Sequence, residues 1–403
     1  MKAQINVDVT IVGAGVVGTT LACALAATPL RIALIDSTPP PRFDKNAHDI
    51  RVSAINYASQ QIFTHLGAWS EIQARRVSPF RRMIVWDESG QIEFDATDVG
   101  QPQLGHIIEN SVIAESLHAV LTNHSRILLM CPAHIDHIAF ETDVVSILLH
   151  NGDQLRTRLL VGADGSNSRV RTAAKIEASS ASYGQRAIVA NVHTTIPHRQ
   201  TAWQRFLRTG PVAFLPLADH SSSIVWTCDN DRARELLAMR TSRFGSELQA
   251  AVQGRLGVVS VDGERRAFAL WRRHANRYIA HRTVLVGDAA HVTHPLAGLG
   301  VNLGILDAAA LAETLSDAAN SGKRDAGAHN PLRRFERWRR GENALVLTTM
   351  DAFKHGFASD SWPIEQGRNF GLKVANELPP LRRFFMRRAM GLDGDLPKLA
   401  KPL

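Results

Sequence analysis

Val9-Thr10-Ile11-Val12-Gly13-Ala14-Gly15-Val16-Val17-Gly18, close to the N-terminus, is the stretch that decides the fold. Val7, Val9, Ile11 and Val12 make a short apolar run suited to a buried parallel strand. Gly13, Gly15 and Gly18 then allow a tight turn, close backbone approach to a pyrophosphate, and close packing of helix on strand. Ala and Leu dominate from Val17 to Ala27 and predict a helix whose free N–H groups and dipole face those phosphates. A second apolar run, Ile32-Ala33-Leu34-Ile35, ends at Asp36, about 20 residues beyond the glycines, where a carboxylate accepts hydrogen bonds from an adenosine ribose. Strand, turn, helix and terminal acid in register predict dinucleotide binding. A glycine-rich turn in another kind of βα unit leaves Asp36 unexplained.

Two later segments read as further parts of the same site. One is Gly162-Ala163-Asp164-Gly165-Ser166-Asn167-Ser168-Arg169-Val170-Arg171. The other is Leu285-Val286-Gly287-Asp288-Ala289-Ala290-His291, continuing through His294-Pro295-Leu296-Ala297-Gly298-Leu299-Gly300-Val301-Asn302.

The N-terminus imitates a secretion signal, with Lys2, an apolar stretch and then Ala24-Leu25-Ala26-Ala27. Asp8 and the spaced glycines interrupt that stretch, and its removal would delete the nucleotide turn. No other segment approaches the roughly 18 apolar residues needed to cross a bilayer, so a soluble, cytoplasmic protein is expected. A chain of 403 residues can bury a large core and usually forms two or more lobes. Cys23, Cys131 and Cys228 are scattered, with no CxxC, and suggest neither a disulfide framework nor a thiolate metal site. The formal charge of +8 is spread along the chain without a nucleic-acid-binding signature. It fits an anionic membrane face or acidic cofactors equally well.

Ser53 to Trp69 reads as helical, with Ile55, Ala58, Ile62, Phe63 and Leu66 at core spacing. Ile84 to Phe94 reads as a hairpin around Glu88-Ser89-Gly90, and Asn110 to Leu121 as a helix capped by Asn110 or Ser111. Ile127 to Leu160 reads as a strand meander turning at Asn151-Gly152, and Ala187 to Thr227 supplies further strands. Nucleotide motifs flank the middle strands, so the chain must leave the nucleotide lobe and return to it.

At this point the motifs carry a resemblance. The chain resembles the class A flavoprotein aromatic hydroxylases, whose fold is typified by para-hydroxybenzoate hydroxylase. Within these it is most similar to the ubiquinone-biosynthesis hydroxylases. The similarity spans nearly the whole chain. It includes Ile50-Arg51-Val52-Ser53-Ala54-Ile55-Asn56, Leu104-Gly105-His106-Ile107-Ile108-Glu109-Asn110-Ser111-Val112-Ile113 and Ala213-Phe214-Leu215-Pro216-Leu217. Phe370-Gly371-Leu372-Lys373 and Arg388-Ala389-Met390-Gly391-Leu392 resemble the branch of 2-octaprenylphenol hydroxylases, which install oxygen at C5 of the ubiquinone ring.

The resemblance implies an α/β architecture: a Rossmann-like FAD-binding domain interwoven with a mixed β-sheet substrate domain, plus C-terminal helices. It places the FAD domain at 1–80, 100–180 and 275–335, the substrate sheet at 81–99 and 181–274, and the helical region at 336–403. Gly13, Gly15, Gly18 and Asp36 would hold the ADP half of FAD. Arg51 would lie near the flavin, Asp164 and Gly165 would serve FAD and nicotinamide-nucleotide pyrophosphates, and Asp288 would accept from a ribitol hydroxyl. The helix started by Gly298, Gly300, Val301 and Asn302 would aim its N–H groups at the flavin pyrimidine edge. Leu299 departs from the Gln usual in relatives. The implied reaction takes hydride from NAD(P)H and captures O2 as a flavin C4a-hydroperoxide, which hydroxylates a polyprenylphenol. With cofactor-borne chemistry, no catalytic side chain and no metal is assigned.

Blander readings stand beside these. His291 and His294 have HxxH spacing but lack an evident further ligand. His106 and Glu109 could pair catalytically, though a structural role at a strand end is the simpler expectation. Trp203, Phe206, Phe214 and Trp226 could line an aromatic pocket or pack a core. Val212, Phe214, Leu215 and Trp226 suit a prenyl tail better than a carboxylate. Arg382, Arg383, Arg387 and Arg388 interleave with Leu381, Phe384, Phe385 and Leu392, as a membrane- or partner-touching helix or as an ordinary docked one. Rival functions are a hydroxylase for another phenol or ring position, a flavin-dependent dehydrogenase or halogenase, and an FAD-containing assembly subunit of a ubiquinone-biosynthesis complex. No nucleic-acid partner is expected, while peripheral inner-membrane contact and a homo-oligomer are open.

Overall fold

Short apolar runs separated by glycine turns and helices are laid down in three sheets. In the structure, a computed structural model, residues 3–88, 90–122, 124–293, 300–322, 325–358 and 379–402 are described. The chain opens with β1 (Gln4–Val12), α1 (Val16–Leu25), β2 (Ile32–Ile35), β3 (Val52–Ile55), α2 (Tyr57–His65), α3 (Trp69–Arg75) and β4 (Ser78–Phe80). The hairpin of β5 (Arg82–Trp86) and β6 (Gln91–Asp95) precedes β7 (Gly105–Glu109) and α4 (Asn110–Leu121). Then come β8 (Ile127–Met130), β9 (Ile135–Phe140), β10 (Val145–Leu149), β11 (Gln154–Gly162) and α5 (Arg169–Ala173). The middle of the chain forms β12 (Ala178–Thr194), β13 (Thr201–Leu207), β14 (Gly210–Pro216), β15 (Ser222–Asp229), α6 (Asn230–Ala238), α7 (Thr241–Ala251) and β16 (Val259–Ala275). It returns through β17 (Ile279–Ala280), β18 (Thr283–Leu285) and β19 (His291–Val292) to α8 (Gly300–Asn320), α9 (His329–Ala358) and α10 (Pro379–Ala389).

The first sheet runs β17-β18-β11-β1-β2-β8, and the pairs from β18 to β8 are all parallel. Parallel strands covered on both faces need continuous apolar runs, and Val9, Ile11, Ile32, Leu34, Leu159 and Val161 are buried accordingly. Helix α1 lies between this sheet's glycine turn and α8, its Gly18-to-Cys23 stretch wholly buried. The second sheet runs β19-β16-β12-β15-β14-β13-β5-β6 and is antiparallel except where β13 meets β5. One of its faces packs Ile188, Val212, Phe214, Ile224 and Trp226 against Leu236, Phe244 and Leu248 of α6 and α7. A small third sheet, β3-β7-β4, carries the segment leading to α2. The architecture is thus mixed α/β with C-terminal helices.

Several local expectations are corrected. Val52–Ile55 is a strand, because it pairs with β7, and the helix starts only at Tyr57 with Asn56 Oδ1 accepting Ser59 N at 3.0 Å. The meander holds for β9, β10 and β11, with Gly152 at φ +87° in the turn, but β8 crosses away to pair in parallel with β2. Neither Asn110 nor Ser111 caps α4. Glu109 occupies the cap position, and Asp49 Oδ2 accepts Ser111 N at 3.2 Å from across the fold.

Helix α10 is docked. Met386 and Met390 are buried with Ala96 and Leu104, and Leu392 packs beside them. Its arginines are largely neutralised within the chain: Arg382 pairs with Asp98, Arg387 with Asp393 and Arg388 with Glu342. The Phe370–Lys373 motif and the Leu381 and Phe385 side chains lie outside the described residues. Among the described residues no helix is long and apolar enough to cross a membrane.

Candidate active site

The three glycine-bearing loops meet, and the glycines are what let them. Gly13 has φ +106°, and a Cβ there would stand 2.3 Å from the Ala163 carbonyl oxygen of the second loop. At Gly18 it would stand 1.9 Å from Gly13 O, so helix and turn could not close with any side chain. Val17 of α1 fits between Gly287 and Gly304 of the third segment, where added Cβ atoms would come within 3.2 and 2.6 Å of it. Gly15 is different: a Cβ there meets no protein atom within 4 Å. The chain itself therefore does not demand glycine at the helix cap, whereas a phosphate drawn against the α1 N-terminus does. The cradle fits a dinucleotide cofactor.

Asp36 stands at the end of β2, where Oδ2 accepts Ala14 N at 2.8 Å and Oδ1 accepts Thr38 N at 2.9 Å. It thus shapes the glycine turn and keeps acceptor capacity for a ribose hydroxyl. Asp164 organises its own loop by accepting from Ser168 Oγ and, at 3.1 Å, from Val170 N, while Gly165 takes φ +76°. Solvent reaches Asp288, yet the surrounding protein mass pushes its carboxyl above the usual carboxylate range, against the opposing pull of His291 and Arg51. Arg51, from the segment before β3, is thereby brought near Asp288, and its guanidinium lies 5.7 Å from the ring centroid of Phe268 on β16. The segment entering the third sheet thus meets β16 of the second.

Two supports escaped the sequence reading. Buried Arg171 ties the second loop to the third, donating to Ala289 O at 2.9 Å and Ser166 O at 2.8 Å. Behind the third loop lies a buried polar network centred on Asp307 of α8. Its Oδ2 accepts from His291 Nε2 at 2.6 Å and Gly287 N at 3.1 Å. Its Oδ1 accepts from Arg339 Nε at 2.9 Å and Asn343 Nδ2 at 3.0 Å, both on α9. Although burial alone would raise it, the His291 and Arg339 contacts hold the Asp307 carboxyl well below the usual range. The available signal was a lone acid inside the apolar run Leu303–Leu311, with Arg339 and Asn343 four apart on the next helix. His291 is thus spent on Asp307, and His294 lies outside the described residues.

Helix α8 is described from Gly300, so Gly298 and Leu299 lie outside the described residues. The Asn302 side chain is a strut: Nδ2 donates to Ala54 O at 2.7 Å, and Oδ1 accepts Asn56 N at 3.0 Å and Ser59 Oγ at 2.8 Å. It fixes the α8 start, including Val301, against the segment that follows Arg51. His106 and Glu109 are not a pair. An odd spacing on β7 puts them on opposite faces; His106 packs edge-on to Trp69, and burial pulls it down to about 4. Phe214 and Trp226 are core against α6 and α7, with Trp203 beside them, so of the two readings the core one holds for them. Val212 belongs to the same core.

The converging loops and the glycine cradle define a site for a dinucleotide cofactor, and the family and relatives that it matches make the chain an FAD-dependent aromatic monooxygenase, a class that takes NAD(P)H and O2 as co-substrates. The sequence pattern of the FAD-binding-domain family matches residues 6–330. The chain is 36% identical to a 3-demethoxyubiquinol 3-hydroxylase of Escherichia coli, over 96% of this chain and 98% of that one. It is 38% identical to the ubiquinone hydroxylase UbiL of Rhodospirillum rubrum, over 95% and 89%. Its fold matches the crystal structure of p-nitrophenol 4-monooxygenase PnpA from Pseudomonas putida with a TM-score of 0.81, at 18% identity over 98% and 99% of the two chains. The chain belongs to the FAD-binding-domain family, in the group of flavoprotein hydroxylases that includes these ubiquinone-pathway enzymes.

Proposed function

We propose that this enzyme hydroxylates the ring of a polyprenylphenol in ubiquinone biosynthesis, with C5 the favoured position. The observation that carries the substrate class is near-full-length identity to enzymes named for ubiquinone and demethoxyubiquinol hydroxylation. The favoured position rests on the resemblance of the C-terminal motifs. Cross-strand register leaves Val189, Leu215 and Val225 on the sheet face opposite Ile188, Phe214 and Trp226, beside Ser223 and Arg266. Phe268, 41% exposed, extends that face toward Arg51.

In this reading Gly13, Gly15, Gly18 and Asp36 hold the adenosine half of FAD, and Asp164, Gly165 and Asp288 hold the remainder with Arg51. Gly300, Val301 and Asn302, at the start of α8, face the flavin, and Gly298 belongs to the same flavin-binding set. When bound, the cofactor supplies hydride acceptance and oxygen activation. The chain's own residues bind and orient it, hold the phenol on the Val189–Leu215–Val225 face and exclude water from the reacting ring. Residues 1–80, 100–180 and 275–335 then act as the cofactor domain, and 81–99 with 181–274 as the substrate sheet. Membership of a ubiquinone-biosynthesis complex and attachment to the membrane holding the prenylphenol fit the same reading.

The test compares short-chain prenylphenols with free 4-hydroxybenzoate, measuring product formed per NAD(P)H consumed and fixing the ring position by mass spectrometry and NMR. Coupled turnover of prenylphenols alone is expected. Tight coupling to 4-hydroxybenzoate alone rejects the substrate class, and product at another carbon rejects C5.

A further inference from the structure

His48, three residues before Arg51, bridges the second and third sheets. Its Nε2 lies 2.9 Å from Asp219 Oδ2 in the β14–β15 loop of the second sheet, and its Nδ1 lies 3.3 Å from Glu109 Oε1 at the end of β7. The Glu109 contact has ion-pair distance without good hydrogen-bond alignment. A neutral imidazole has one N–H, so it can satisfy one of these carboxylates and must turn a lone pair on the other. Only the imidazolium suits both. Glu109 is itself buried and paired with Arg76, whose Nε lies 2.9 Å from Oε1.

The same segment is pinned by its backbone. Asp49 N donates to Glu109 Oε2 at 2.7 Å, Arg51 N to Asp49 Oδ1 at 3.0 Å, and Asn110 N to Arg51 O at 3.0 Å. Arg51 then leans on Phe268 of the second sheet. We propose that His48 is a positioning residue, a proton-operated clasp that holds the Arg51 segment between the second and third sheets and so sets where the Arg51 guanidinium stands against Phe268.

The charged neighbours are consistent with this. Glu109 foremost, then Asp219, push His48 above its ordinary value, while burial and Arg76 act against them. Beyond Asp219 lie His220 and His198, and burial lowers His198. Since the folded value is raised, the clasp is fully closed below the unfolded value of about 6.5 and opens as pH rises through the folded one. Opening changes by roughly tenfold for each unit of displacement.

Hydrogen–deuterium exchange of the FAD-loaded enzyme without substrate tests this independently of which phenol is used. Protection factors across 48–51 should fall in the wild type as pH rises through the folded value of His48, above the ordinary value of about 6.5. His48→Gln should show low protection throughout, and His48→Arg should keep it high throughout. The FAD dissociation constant should follow the same three patterns, and Asp219→Asn should move the wild-type transition to lower pH. Unchanged protection and an unchanged pH profile in His48→Gln would overturn the clasp, as would a transition that persists in His48→Arg.

Discussion

Replacing Asp307 with Asn probes the framework behind the flavin loop with almost no change in volume. The carboxylate is fully buried and receives four donors: Gly287 N, His291 Nε2, Arg339 Nε and Asn343 Nδ2. An amide supplies one acceptor oxygen and turns an NH2 toward groups that are themselves donors. Arg339, 2% exposed, is left buried without its anion. Removing one member of a buried ion pair costs about 3–5 kcal/mol, a large share of the roughly 5–15 kcal/mol that keeps a protein folded. The pH sign is definite: a depressed acid stabilises above its unfolded value of about 3.9 and loses that contribution only as pH falls through the folded one. The deficit is therefore fully present at neutral pH. Urea unfolding of apo and FAD-loaded protein measures it, with the apo form isolating the network from the cofactor's own contribution. Asp307→Asn with Arg339→Met should be less destabilised than the sum of the single variants. A loss below about 1 kcal/mol, with wild-type FAD retention, would refute a framework role for this network.

Gly13→Ala should yield protein that cannot be loaded with FAD, since the added carbon meets the Ala163 carbonyl at 2.3 Å and φ is +106°; normal flavin occupancy by absorbance counts against the loop packing. Asp288→Asn should raise the apo melting temperature, because the wild-type carboxyl is held above its usual range by enclosure. The same variant should bind FAD more weakly by about 1.5–3 kcal/mol through loss of a charge-assisted hydrogen bond. Opposite signs in calorimetry and flavin titration are the signature, and a parallel change in both rejects it. Phe214→Ala should cost about 3–5 kcal/mol of stability as a core truncation yet leave KM for the phenol unchanged; a KM effect without destabilisation would return Phe214 to the pocket.

The β1–α1–β2 unit was legible because its signals are local. Glycines that a turn requires, a run of β-branched residues and an acid at a strand end are all readable within a few dozen residues. The hairpin at 84–94 and helix α4 were readable for the same reason. Val52–Ile55 was misread because apolar spacing cannot reveal that β7, some fifty residues away, offers it a ladder. β8 joined the wrong neighbours on paper because parallel pairing is decided by crossover, not by adjacency. Strand alternation could have separated Phe214 and Trp226 from Leu215 and Val225, but which face meets α6 and α7 is a tertiary fact. Arg171 and Asp307 act through partners more than 30 residues distant, or on the next helix, and pattern alone does not join them.

Oxygen-isotope transfer tests the account most directly. Purified enzyme is given FAD, NAD(P)H, a short-chain prenylphenol and 18O2, and the product is analysed by mass spectrometry. The account predicts one labelled oxygen atom on the ring of the product, with NAD(P)H consumed in step and FAD required. Reoxidation to hydrogen peroxide alone, or a product oxygen drawn from water, would contradict it.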